Sequence, residues 1–137
     1  MKNWIWVGVG GGLGALARTA LEQVGTSHHL PLNFFLINVL GSFFIGMIMA
    51  LSAEWGVLAN QWRLFWGVGV LGGFTTFSTF MLGVHTLWQD TKGLAVLYLT
   101  GTLIAGLAAA FGGLVVIREV ARMAASRTQL EETEDEG

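Results

Sequence analysis

Charge is almost absent from four long stretches of this chain and collects between and after them. The first stretch runs from about Trp4 to Val24 and is interrupted only by Arg18 and Glu22. The others, at about 32–53, 64–89 and 93–117, contain no Asp, Glu, Lys or Arg. Each reaches the roughly 20 residues that a helix needs to cross the hydrocarbon core of a bilayer. The connections are short, so neighbouring helices are expected to run antiparallel, and an even number of spans puts both ends of the chain on one side. The pattern predicts an all-α membrane protein with four transmembrane helices in residues 1–118. A basic and then acidic tail, 119–137, follows.

The third stretch breaks its own pattern. Gly72-Gly73 is followed by Thr75, Thr76, Ser78 and Thr79, all in the middle of an otherwise oily span. Such a sequence predicts a helix broken within the membrane. Irregular backbone at that depth survives only where it is buried in protein or lines a cavity. A break after the glycine pair frees carbonyl oxygens, which at membrane depth are good ligands for a cation. Phe77 and Phe80 are spaced to meet on one helical face. Packing accounts for such a pair, and so does ion contact, because the edge of an aromatic ring is electropositive and can touch an anion.

Isolated polar residues mark the other spans. Asn38 shares a face with Ser42 and Gly46 at intervals of four. A buried amide is costly unless satisfied. Asn38 is therefore either a bond between helices or a lining group whose NH2 offers two donors to an anion. Tyr98, Thr102, Gly106 and Ala110 repeat the spacing in the fourth span, as packing with interhelical hydrogen bonds or as a polar track. In the first span Gly10, Gly14 and Arg18 share a face, with Glu22 four residues on as a partner for Arg18. Arg18 reads either as an interfacial anchor or as positive charge at the mouth of an anion path. Gly10-x-Gly12-x-x-Ala15 loosely matches a dinucleotide fingerprint but lacks the strand before it and the acid after it, so close helix packing is the better account. His28 and His29 are expected on the surface.

Charge and composition narrow the function. The chain has 137 residues, 53% hydrophobic, with no cysteine, which excludes disulfides and thiolate metal sites. The net charge of −2 arises in the tail, where Glu131 to Glu136 holds five of the nine acids. That tail is expected to be solvated and disordered. Met1-Lys2 lead into the first span without a small-residue cleavage pattern before Arg18, so a cleaved leader is not expected. Lys2, Arg63, Arg118, Arg122 and Arg127 fall on the side of the termini and Lys92 on the other, joined by Arg18 if it snorkels there, which favours cytoplasmic termini in the cell membrane. No nucleophile–base pair or metal cluster is visible, so an enzyme is not expected.

Three segments together resemble the Fluc (CrcB) fluoride channel family: Gly10-Gly11-Gly12-Leu13-Gly14-Ala15-Leu16-Ala17-Arg18, Asn38-Val39-Leu40-Gly41-Ser42-Phe43, and Gly72-Gly73-Phe74-Thr75-Thr76-Phe77-Ser78-Thr79-Phe80. The likeness covers about the first 115 residues. It implies an antiparallel dimer of four-helix subunits with two fluoride pores at the subunit interface, exporting fluoride passively from the cytoplasm. It implies a structural sodium ion at the dimer centre, held by the backbone carbonyls of Gly72 and Thr75. It places Asn38, Phe77, Ser78, Thr79, Phe80, Tyr98 and Thr102 on the fluoride pathway and Arg18 at a vestibule. Two positions depart from the family pattern: Gly83 stands where many relatives carry Glu, and Gly106 stands where a further hydroxyl would extend the track.

Other readings are a subunit of a heterodimeric fluoride channel, non-conducting or half-functional alone, and a small multidrug-type exporter. The uneven Lys/Arg distribution favours the first, since an antiparallel homodimer needs both orientations of one sequence. The second needs a carboxylate within the membrane, and the last three spans contain none.

Overall fold

The computed structural model describes residues 3–23, 31–54 and 60–135, and within them the chain is helical almost throughout. His28 and His29 lie outside the described residues. The elements are α1 (Asn3–Glu22), α2 (Leu32–Glu54), α3 (Asn60–Arg63), a π-helical stretch (Leu64–Leu71), α4 (Gly72–Phe74), α5 (Ser78–Asp90) and α6 (Lys92–Asp135). The lone proline, Pro31, immediately precedes α2, where a missing N–H costs nothing. Thr91 alone joins α5 to α6: it leaves the helix with φ −145° and ψ 104°, while its N–H still bonds to Leu87 O at 2.7 Å. So short a link folds the two helices back on each other.

Among the described residues, three stretches are long and apolar enough to cross a membrane: Leu32–Ala53, Gln61–Asp90 and Lys92–Arg127. They correspond to the second, third and fourth apolar segments. α1 has the length but less apolarity, because glycines and the Arg18–Glu22 pair dilute it. The helix of the fourth segment does not stop at Ile117, where the charge-free run ends. α6 continues as helix to Asp135, where a disordered tail is expected. Glu, Ala, Arg, Met and Gln in this extension favour helix, and Arg122 bonds to Glu119 at 2.9 Å one turn back.

The apolar core is small and sits where α5 meets α6: Phe80, Val84, Leu87, Ala95 and Tyr98, flanked by Phe35, Leu94 and Leu99. Large apolar side chains elsewhere face outward, as in Leu16, Ile104, Leu107 and Phe111. Lipid solvates such a surface, so helix association depends on close packing through small residues. α1 lies against the π-helical stretch, where a Cβ on Gly14 would strike the Val70 carbonyl. α2 lies against α6, where a Cβ on Gly46 would strike the Ala110 carbonyl. Gly46→Val should therefore force α2 from α6 and lower stability by about 3 kcal/mol, the upper part of the overpacking range. Thermal unfolding in detergent measures this, and an unchanged midpoint would show that the two backbones separate freely.

Candidate functional site

The centre of the site is the interruption between α4 and α5. Thr75 is extended, with φ −73° and ψ 150°, and helix resumes at Ser78 after Phe77 returns to helical angles. In an unbroken helix the N–H of Thr76 would bond to the Gly72 carbonyl and that of Thr79 to the Thr75 carbonyl. Both donors go elsewhere. Thr76 N–H donates to Asn38 Oδ1 at 2.9 Å, and Thr79 N–H donates to Thr76 Oγ1 at 3.3 Å. The Gly72 and Thr75 carbonyls thus lose their helical donors.

Asn38 holds this geometry from α2. Its Nδ2 donates to Thr76 O at 2.9 Å while its Oδ1 accepts from Thr76 N. One carboxamide therefore satisfies both polar groups of one residue, which the break would otherwise leave unpaired at depth. The sequence leaves Asn38 as either a bond between helices or a donor to an anion. The structure uses one N–H and the oxygen for the first role and leaves the second N–H of the amide in hand. Gly41, one turn along α2, is buried against the Thr75 methyl group and Phe74 ring.

Thr76 is a central residue that sequence reasoning does not single out. Its buried hydroxyl accepts from Thr79 Oγ1 at 2.8 Å, lies 3.3 Å from Ser78 Oγ, and receives the Thr79 N–H. Those contacts cap the first turn of α5. The signal was available as Thr76-x-x-Thr79, the spacing of a side-chain cap, but a run of four hydroxyls hides which one is the cap. Thr75 plays a different part, returning its hydroxyl to Leu71 O at 3.0 Å.

Phe77 and Phe80 meet as their spacing predicts, with ring centroids 5.9 Å apart and planes at 58°. Their surroundings differ sharply. Phe80 is 2% exposed and stacks obliquely on Tyr98 at 5.6 Å, whereas Phe77 is 71% exposed. Tyr98 donates its hydroxyl to Pro31 O at 2.9 Å, tying α6 to the start of α2. Thr102, one turn on, is buried and donates to Tyr98 O at 2.7 Å. A cavity of about 170 Å³ opens beside these two residues, lined also by Leu32, Phe35, Leu97 and Gly101. Arg18 lies 3.6 Å from Glu22 within α1, as the spacing suggests, and Asn33 Nδ2 donates to Glu22 O at 3.1 Å.

The structure thus gathers Asn38, Thr75, Thr76, Ser78 and Thr79 around one break and continues it through Phe77, Phe80 and Tyr98 to Thr102. Gly72, Phe77 and Ser78 are exposed on the surface of the chain. Carbonyls without their helical donors suit a hard cation bound through oxygen; among the described residues no group of three or more His, Asp or Glu is placed to hold a metal ion.

Helices apolar on their outer faces, small residues at the contacts, and polar backbone secured inside define a multi-pass membrane protein built round an interrupted helix. Residues 5–114 match the family model described as CrcB-like protein, Camphor Resistance (CrcB), and the chain belongs to that family. It is 43% identical over 124 residues, 86% of this chain and 98% of the relative, to "Fluoride-specific ion channel FluC 2" of Nitrobacter hamburgensis. It is 43% identical over 127 residues, 88% of this chain and all of the relative, to "Fluoride-specific ion channel FluC" of Novosphingobium aromaticivorans. A protein of the same name from Thermus thermophilus is 44% identical over 117 residues, 82% of this chain and 93% of its own.

Proposed function

We propose that this protein is a fluoride-selective channel that lets fluoride leave the cytoplasm passively, working as an antiparallel dimer in the cell membrane. The names of full-length relatives support the ion. The observation that carries the rest is the break clamped by Asn38 on the open face of the subunit. Lipid does not tolerate bare carbonyls. A second copy turned over on this face would cover them and bring a second set of Gly72 and Thr75 carbonyls alongside. Four such oxygens are a fitting cradle for a structural sodium ion, whose positive charge would favour an anion nearby.

Fluoride is small and strongly hydrated, so a selective path must replace its water with donors and positive ring edges. Asn38 keeps one amide N–H for this role, and Phe77 and Phe80 offer edges. The hydroxyls of Ser78 and Thr79 stand beside them, Tyr98 and Thr102 extend the polar path along α6, and Arg18 sits at a vestibule. In this reading the protein catalyses no reaction; it lowers the cost of taking an ion out of water.

Purified protein in liposomes loaded with fluoride should release it quickly, followed with a fluoride electrode, and should release little chloride. Equal loss of both ions would remove selectivity from the proposal. The basic excess on the side of the termini supports a second arrangement, in which an oppositely oriented partner chain completes the dimer. Dimers from this chain expressed alone, with fluoride release, would rule that arrangement unnecessary.

A further inference from the structure

One hydroxyl on the seam between α2 and α6 takes no part in the network around the break. The two helices run parallel there in a fixed register. A Cβ on Gly106 would meet Ser42 Oγ at 3.4 Å, and one turn later a Cβ on Gly46 would meet the Ala110 carbonyl. Each step advances four residues on both helices, so the same register one turn earlier sets Asn38 level with Thr102. The seam therefore has three levels: Asn38 with Thr102, Ser42 with Gly106, and Gly46 with Ala110.

The three levels differ in what they can offer an ion. At the first, Asn38 is bonded to Thr76, and Thr102 gives its proton to Tyr98 O. At the third, backbone lies on backbone and no room remains. At the second, α6 contributes no side chain, and the Ser42 hydroxyl occupies the space over Gly106. Hydroxyls within apolar helices commonly return their proton to a carbonyl one turn back. Thr19, Thr75, Thr86, Thr100 and Thr102 all do so here. Ser42 does not: among the described residues no hydrogen bond engages it, and it is only half-buried.

We infer that Ser42 is a pathway residue, donating its hydroxyl hydrogen to fluoride at the level where α6 presents Gly106. The inference rests on the fluoride-channel reading and adds a donor from α2 to a track otherwise carried by α6. A hydroxyl rotates freely and has one proton to give, which suits a small anion passing from Thr102 toward the end of the open seam. Gly46 closes the seam one turn on, so Ser42 is the last donor before the ion leaves it.

Fluoride and chloride release from liposomes tests this with the full chain. Ser42→Ala should slow fluoride release about tenfold or more, the factor that one hydrogen bond to a charged group carries. Adding Gly106→Ser to Ser42→Ala should restore most of the lost rate, because the new hydroxyl springs from the opposite wall of the same space. A second comparison does not depend on Gly106: Ser42→Thr keeps a hydroxyl and should conduct, whereas Ser42→Val has the same shape without one and should not. Wild-type rates in Ser42→Ala and Ser42→Val, or equal loss in the Thr and Val variants, would overturn the inference. Absence of fluoride release from wild-type vesicles would instead remove the homomeric channel reading on which it stands.

Discussion

Asn38→Asp should all but stop fluoride release and also weaken the fold. The two effects have separate causes. The fold suffers because a carboxylate has no N–H to give the Thr76 carbonyl, which Asn38 Nδ2 now meets at 2.9 Å. Leaving that buried acceptor unpaired costs about 1–3 kcal/mol. Conduction suffers because a fixed negative charge faces an anion. At about 4 Å and an effective dielectric near 20 the repulsion is roughly 4 kcal/mol, or on the order of a thousandfold in rate. Asn38→Ala separates the two, since it removes the clamp without adding charge. It leaves both the Thr76 N–H and its carbonyl unpaired, so it should lower the unfolding midpoint at least as much as Asp does but retain more flux. Thermal unfolding and electrode-measured release on the same preparations decide it. Full conduction by the Asp variant would take Asn38 off the ion path and leave it as structural.

The aromatic pair should divide in the opposite sense. Phe80 is buried against Tyr98 in the apolar core of the chain. Phe80→Ala should cost about 3–5 kcal/mol, as for other buried phenylalanines, and conduction should fail with the fold. Phe77 is 71% exposed in the single subunit and supports little around it. Phe77→Ala should leave the subunit folded, with unfolding within about 1 kcal/mol of wild type. It should still cripple fluoride release, because the ring edge is lost from the path. A stable Phe77→Ala protein with normal flux would show that the exposed ring faces lipid or partner alone. Phe80→Ile, which keeps most of the volume, then asks whether the buried ring acts by packing or by its edge.

Much of this architecture is legible in the pattern of charge. The second and third apolar segments give helices within a few residues of their expected ends, and Arg18 finds Glu22 at the expected spacing. These features depend on local chemistry, which a sequence displays. The division of labour around the break does not. Asn38 and Thr76 are far apart in the chain, and nothing local says that the amide will take the Thr76 peptide. Phe77 and Phe80 carry the same side chain three residues apart, yet one is covered and the other bare because only Phe80 meets α6. The end of α6 is misjudged for a different reason: apolarity marks where lipid ends, not where helix does.

The π-helical stretch Leu64–Leu71 also escapes a reading by periodicity, since it is as apolar as an ordinary span. It lies directly before Gly72 and Thr75. A wide turn takes up an extra residue, and each residue in a helix is worth about 100° of rotation. The stretch therefore works as a phase shifter. It supplies no side chain to the site, but it sets the compass bearing on which the carbonyls of the break emerge. Wound as an ordinary α-helix with no residue changed, the same stretch would leave every side chain of the site intact and turn the whole constellation about a quarter of the way round.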